Sequence, residues 1–144
     1  MKDFHSAMTR VAAIGAVVLA ADNTPAAIDL QGTIGAEILL DIGIGGITFN
    51  GTNKIEFKVT HSDDDSTYTD VADADILGVT VASDGIIKAL TAAHAAAAVY
   101  RFGYVGGKRY IKILADFSGT HGTGTPIAVS VLKFGSINPQ AAQA

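Results

Sequence analysis

The 144 residues fit one domain, and a net charge of -4 excludes a general polyanion binder, because neutralising phosphates takes concentrated Lys and Arg. The absence of Cys excludes disulfides, thiolate metal sites and thiol nucleophiles together, so stability has to come from packing or from assembly with other chains. Sixteen Gly against three Pro, with 17% charged residues, describe an apolar, loop-rich folded chain.

In chain order, Met1 to Arg10 has no clear period and reads as an arm. The run Val11 to Ala21 follows a basic residue and ends on Ala20 and Ala21, as a secretory signal would, but Asp3 dilutes the basic region and Gly15 interrupts the apolar core. It also falls short of the roughly 17 to 25 residues that span a bilayer. It is read as an apolar strand that packs in the domain or against a neighbour. Asp22 to Pro25 favours a turn, so Val11 to Ala21 and Ala26 to Gln31 are expected as two strands in a tight connection.

Ala36, Ile38, Leu40 and Ile42 share one face of the next strand, with Glu37 and Asp41 on its wet side. Gly43 to Gly51 is a glycine-rich turn that Ile44, Ile47 and Phe49 anchor inward. Lys54 to Thr60 alternates without a break, with Ile55, Phe57 and Val59 on one side. It predicts a hairpin with Thr67 to Val71, whose tip at Asp64-Asp65 tolerates a left-handed backbone. A short strand is expected around Ile76 to Val81. Residues 89–98 are alanine-rich and predict a compact loop or at most one short helical turn.

From Val99 to Phe134 the chain reads as a β-meander. A two-residue turn at Gly106-Gly107 would pair Val99 to Val105 with Lys108 to Phe117, placing Tyr104 opposite Arg109, Phe102 opposite Ile111 and Tyr100 opposite Ile113. The other face would then gather Arg101, Lys108, Tyr110 and Lys112. Such a basic face is either a solvated sheet surface or a docking face for an acidic partner, where charge sets register and association rate. Pro126 to Phe134 alternates Ile127, Val129 and Val131 against Ala128, Ser130 and Leu132. The expected organisation is an arm at 1–10, one sandwich domain at 11–134 and a tail at 135–144.

Chemistry finds little to work with. Asp63 to Asp65 beside His61 lacks the spaced ligands of a calcium loop, and His121 sits in a glycine loop without a second ligand, as a loop or interface residue. The glycines from Gly119 to Gly124 run into Pro126 and a strand rather than opening a helix, which removes a phosphate loop. No nucleophile elbow occurs, and Glu37 and Glu56 sit on separate strands. The chain is read as no enzyme, with no cofactor and no metal.

Several segments resemble small structural proteins of tailed-phage and prophage head gene clusters. They are Ala27 to Gly32 with Ala36 to Leu40, Val59 to Asp64 with Tyr68 to Val71, Tyr104 to Ile111, and Gly122 to Ile127. The family in question is that of capsid decoration, or cement, proteins. Where its members carry Asp-Gly at the hairpin tip this chain has Asp64-Asp65, and its ending lacks their His-Pro-rich character. The resemblance implies an all-β, jelly-roll-like antiparallel sandwich on the outer surface of a virion, bound to major capsid protein and to its own copies as a dimer or trimer. Neither nucleic acid nor membrane would be a partner. Arg101, Lys108, Tyr110, Lys112 and His121 are the expected partner contacts. The competing readings are a carbohydrate-binding or adhesin-type sandwich on the virion surface and a tail or spike protein.

Overall fold

A computed structural model describes residues 5–135, so the expected tail beyond Gly135 and the first four residues of the expected arm lie outside the described residues. The chain folds as two antiparallel sheets packed face to face. Ten strands run in the order β1 (Met8–Leu19), β2 (Ile28–Asp29), β3 (Gly35–Ile42), β4 (Lys54–Ser62), β5 (Thr69–Asp70), β6 (Ile76–Leu77), β7 (Ile86–Leu90), β8 (Ala98–Tyr104), β9 (Tyr110–Ser118) and β10 (Thr125–Phe134). One sheet, sheet A, has the order β1-β10-β3-β8-β6. Sheet B has the order β2-β9-β4, with β5 and β7 sharing the far side of β4. Without the two-residue strands β5 and β6, sheet A reads β1-β10-β3-β8 and sheet B β2-β9-β4-β7, so successive strands change sheet at every step except from β4 to β7, which is the jelly-roll arrangement.

Period-two patterning builds the core. In sheet A, Ile38, Leu40 and Ile42 of β3 stand opposite Val131, Val129 and Ile127 of β10, all of them buried. Sheet B answers with Ile55, Phe57 and Val59 of β4 and Ile111, Ile113 and Ala115 of β9. Each layer presents one apolar face to the other, which is why this alternation suits a sandwich. The expected β4–β5 hairpin forms, with Thr60 opposite Asp70, and Asp65 takes a left-handed φ of 56° at its tip.

The structure corrects three expectations. β8 and β9 do not form a hairpin: β8 pairs with β3 and β6 in sheet A, while β9 pairs with β4 and β2 in sheet B. Residues 105–109 therefore carry the chain across the sandwich. The crossing is held by the Lys108 N–H, which donates to the Tyr104 hydroxyl at 3.2 Å, and by the Val105 N–H, which donates to the Asp75 carbonyl at 2.8 Å. A Cβ at Gly106 would lie 2.8 Å from Asp75 Oδ1 and from the Tyr104 ring, so a larger residue there would have to displace that ring. The segment from Val99 to Phe134 is consequently no meander, since β8, β9 and β10 lie in sheets A, B and A.

Val11 to Ala21 and Ala26 to Gln31 do not pair either. The first lies in β1 of sheet A and the second contributes only Ile28–Asp29 to sheet B. Asn23 holds the connection by capping β9, accepting from the Ala115 N–H at 2.7 Å and donating to the Ile113 carbonyl at 3.2 Å. At 89–98 the compact loop forms rather than a turn of helix. Ala89 and Leu90 pair with Glu56 and Ile55, and Ala98 pairs with Ile42, which leaves only a short linker. That linker is tied down by His94, whose Nδ1–H donates to the Gly43 carbonyl at 2.8 Å while its own carbonyl accepts from the Gly45 N–H. The only helical pieces among the described residues are 3-10 turns at Asp73–Asp75 and Ser83–Gly85. Finally, β1 starts at Met8, inside the expected arm.

Candidate docking surface

The five residues expected to contact a partner do not share a face. Arg101 projects from the outside of sheet A, where its Nε lies 3.2 Å from Glu37 Oε1 on the neighbouring strand. Tyr110 and Lys112 project from the outside of sheet B, on the opposite side of the molecule. Lys108 sits in the crossing between them and lies 3.3 Å from Asp63. The hairpin register that would have gathered these cations is absent, so the expected basic face is split in two, and each cation meets an acid or a ring. Of the two roles expected for His121, loop and interface, the first fits its place, buried in its loop with only 3% of its surface exposed.

On sheet B the outward aromatics are covered. Lys112 Nζ lies 3.9 Å from the Tyr68 ring centre and the Arg109 guanidinium 4.8 Å from that of Tyr110. Arg109 also makes a two-point contact with Asp29, at 3.0 Å from Nε and 2.7 Å from Nη2. That hydrogen bonding, led by Arg109 and helped by the Gln31 N–H, holds the Asp29 carboxyl below its ordinary range. The Tyr68 hydroxyl donates to Asp65, and burial together with that carboxylate pushes its pKa up. Asp64 is drawn into the hairpin tip: N–H groups of Thr67 and Ser66 and the Ser62 hydroxyl bring its pKa down to about 2. The acids that sequence weighed as a divalent-ion cluster thus spend Asp64 on the turn, and no group of three or more potential metal ligands occurs among the described residues.

The core carries two buried histidines in different roles. His61 of β4 and Tyr104 of β8 meet at 3.0 Å across the two sheets, and burial holds the His61 pKa below its ordinary value. His121 donates from Nε2 to the Ser118 carbonyl at 2.8 Å and packs edge-on against Phe117 and tilted against Phe49. Its Nδ1 is buried without a hydrogen-bond partner. His61 therefore links the two sheets, and His121 closes its own loop.

The outer face of sheet A holds what the sequence reading missed. Ala16, Val18, Pro126, Ala128 and Val99 line a shallow groove of about 630 Å3 that crosses β1, β10, β3 and β8 near one end of the sandwich. Asp41 is its only charged lining residue and lies 3.5 Å from Arg10 Nη2. Val18 and Val99 are 57% and 63% exposed, although they are large aliphatic side chains. A wet sheet face is ordinarily polar, and this stretch is apolar instead. The signal was present in β10, where Ala128 and Leu132 leave the outward positions almost as apolar as the inward ones. The opposite end carries a second, more polar cleft of about 450 Å3 lined by Lys108, Arg109, Asp63 and the exposed Ile34.

No protein-family model matches the chain, and no curated protein matches it.

Proposed function

We propose that this chain is a structural virion protein that attaches to the outside of a tailed-phage capsid and reinforces the head through contacts with major capsid protein and its own copies. The observation that carries the reading is the apolar groove on the outer face of sheet A, beside charges that are largely paired within the chain. A cement protein needs no reaction, only a rigid body that offers a desolvatable patch, and repetition over many equivalent sites turns modest contacts into tight attachment. The motif resemblance from Ala27 to Ile127 points the same way. A carbohydrate-binding role has less support, because Lys112 and Arg109 each occupy a face of the outward tyrosines on which a sugar would stack.

The test is co-sedimentation with tailed-phage heads assembled from major capsid protein alone. The unaltered protein is expected to co-sediment, and Val99→Lys or Ala128→Lys to weaken binding at least about tenfold, or about 1.4 kcal/mol. Heads that take up none of the unaltered protein would sink the attachment reading.

A further inference from the structure

We propose that two copies of this chain join edge to edge through β1, antiparallel about a two-fold axis at Val18, so that their A sheets become one continuous sheet. The inference deepens the assembly reading above and rests on it.

β1 is the outermost strand of sheet A, and among the described residues it pairs only with β10. Within it only Ile14 is buried, and Gly15 to Val18 are exposed on both faces. Side chains at successive positions point to opposite faces, so Val17 at 45% and Val18 at 57% exposure leave this end of the strand apolar on both sides. From Val11 to Ala21 there is no charged residue and no Pro. Chains that stay apart normally protect an edge with such residues. The two bulges of β1 fall between Ala12 and Val17, and from Val17 to Leu19 the pairing with β10 is regular.

The backbone at Val18 is turned outward. Val18 stands opposite Pro126, whose carbonyl accepts from the Gly43 N–H at 2.8 Å on the β3 side. In an antiparallel ladder the N–H and C=O of one residue point the same way, and a residue facing a non-bonded partner turns both groups to its other side. Val18 therefore presents its N–H and C=O at the edge of the sheet. Facing its own counterpart across a two-fold axis, it exchanges both bonds, and Val17 of each copy meets Leu19 of the other. A two-fold contact requires a patch that complements itself, and a neutral apolar strand edge does so.

A self-complementary edge selects a second copy as the occupant, and the charge distribution permits it. Half of the fourteen acidic residues lie between Asp63 and Asp84, a span without Lys or Arg. That span forms the β4–β5 tip, both 3-10 turns and β6, the strand at the other edge of sheet A from β1. Joining through β1 puts the two acidic poles about 40 Å apart at ordinary strand spacing. Screening extends only about 8 Å at physiological salt, so the poles do not oppose the contact.

The mass of the full chain in solution, measured by light scattering and sedimentation, tests this. The unaltered protein is expected at twice its 14.7 kDa chain mass. Val18→Lys and Val18→Glu are each expected to lose the dimer, because like charges then meet at the axis, and an equimolar mixture of the two is expected to regain it. A monomer at every concentration overturns the proposal, as does a dimer that survives Val18→Lys or a mixture that stays monomeric. Amide exchange on the unaltered chain reads the same contact without a substitution. The Val18 N–H should be protected in concentrated protein and exchange freely on dilution, and free exchange at all concentrations overturns the axis. Monomers that still bind heads would remove this dimer and leave the attachment, whereas dimers that ignore heads would support the edge and remove the attachment.

Discussion

The hydroxyl of Tyr104, on β8, lies 3.0 Å from Nδ1 of His61, on β4, and joins the two sheets through the closed core. The same oxygen accepts the Lys108 N–H at 3.2 Å, so the hydroxyl meets the ring of β4 and the backbone of the crossing at once. One polar contact thus ties the sandwich to the chain crossing that follows β8.

Removing that oxygen leaves the Lys108 N–H and His61 Nδ1 without their partner inside the core. Tyr104→Phe is expected to cost about 1–3 kcal/mol, read from urea unfolding midpoints at neutral pH. A neutral result would show that water or a shifted loop replaces the hydroxyl.

Acid should weaken the fold through His61. Burial lowers its pKa in the folded state from the ordinary 6.5, so below that pH the unfolded chain binds a proton that the folded chain resists. The stabilisation is complete above pH 6.5, shrinks as pH falls below it and levels off beneath the folded-state pKa. Melting temperatures taken across this range for the unaltered chain and for His61→Gln should show the step only in the former.

Gly46 and Gly124 bring two loops into backbone contact, and a Cβ on Gly46 would lie 1.8 Å from the Gly124 carbonyl oxygen. Neither backbone can yield cheaply. Gly46→Ala is expected to cost at or above the ~3 kcal/mol end of overpacking effects, measured by thermal unfolding, while Gly51→Ala, with open space around it, serves as the matched control.

Arg101 and Lys112 occupy opposite outer faces and share no partner. Their charge reversals, Arg101→Glu and Lys112→Glu, are expected to act independently on head binding, with a coupling within about 0.5 kcal/mol in a double-mutant cycle. A larger coupling would place both residues against one partner surface.

Phe57 is fully buried in the middle of β4. Phe57→Ala should cost about 3–5 kcal/mol of unfolding free energy, a test of whether sheet B is packed as tightly as its alternation implies.

What the sequence by itself determined is which side of each long strand faces inward. Ile38 and Leu40, Phe57 and Val59, Phe102, Ile111 and Ile113, and Val129 and Val131 all lie in the core, because period-two alternation fixes a face wherever the strand has one dry side. The same alternation marked the chain as β-rich, and the lack of Cys excluded thiol chemistry. Which sheet each strand joins was decided only by the tertiary structure. A hairpin at Gly106-Gly107 and a crossing between layers bury the same residues, Phe102 and Ile111 among them, so alternation cannot tell them apart. Strand pairing is a contest between distant edges, and β3 and β4 won β8 and β9 from each other. That outcome separated Arg101 from Tyr110 and Lys112. It also set Val18 of β1 next to Pro126 and Ala128 of β10 and Val99 of β8, assembling from three remote segments the apolar surface that no single stretch of sequence contains.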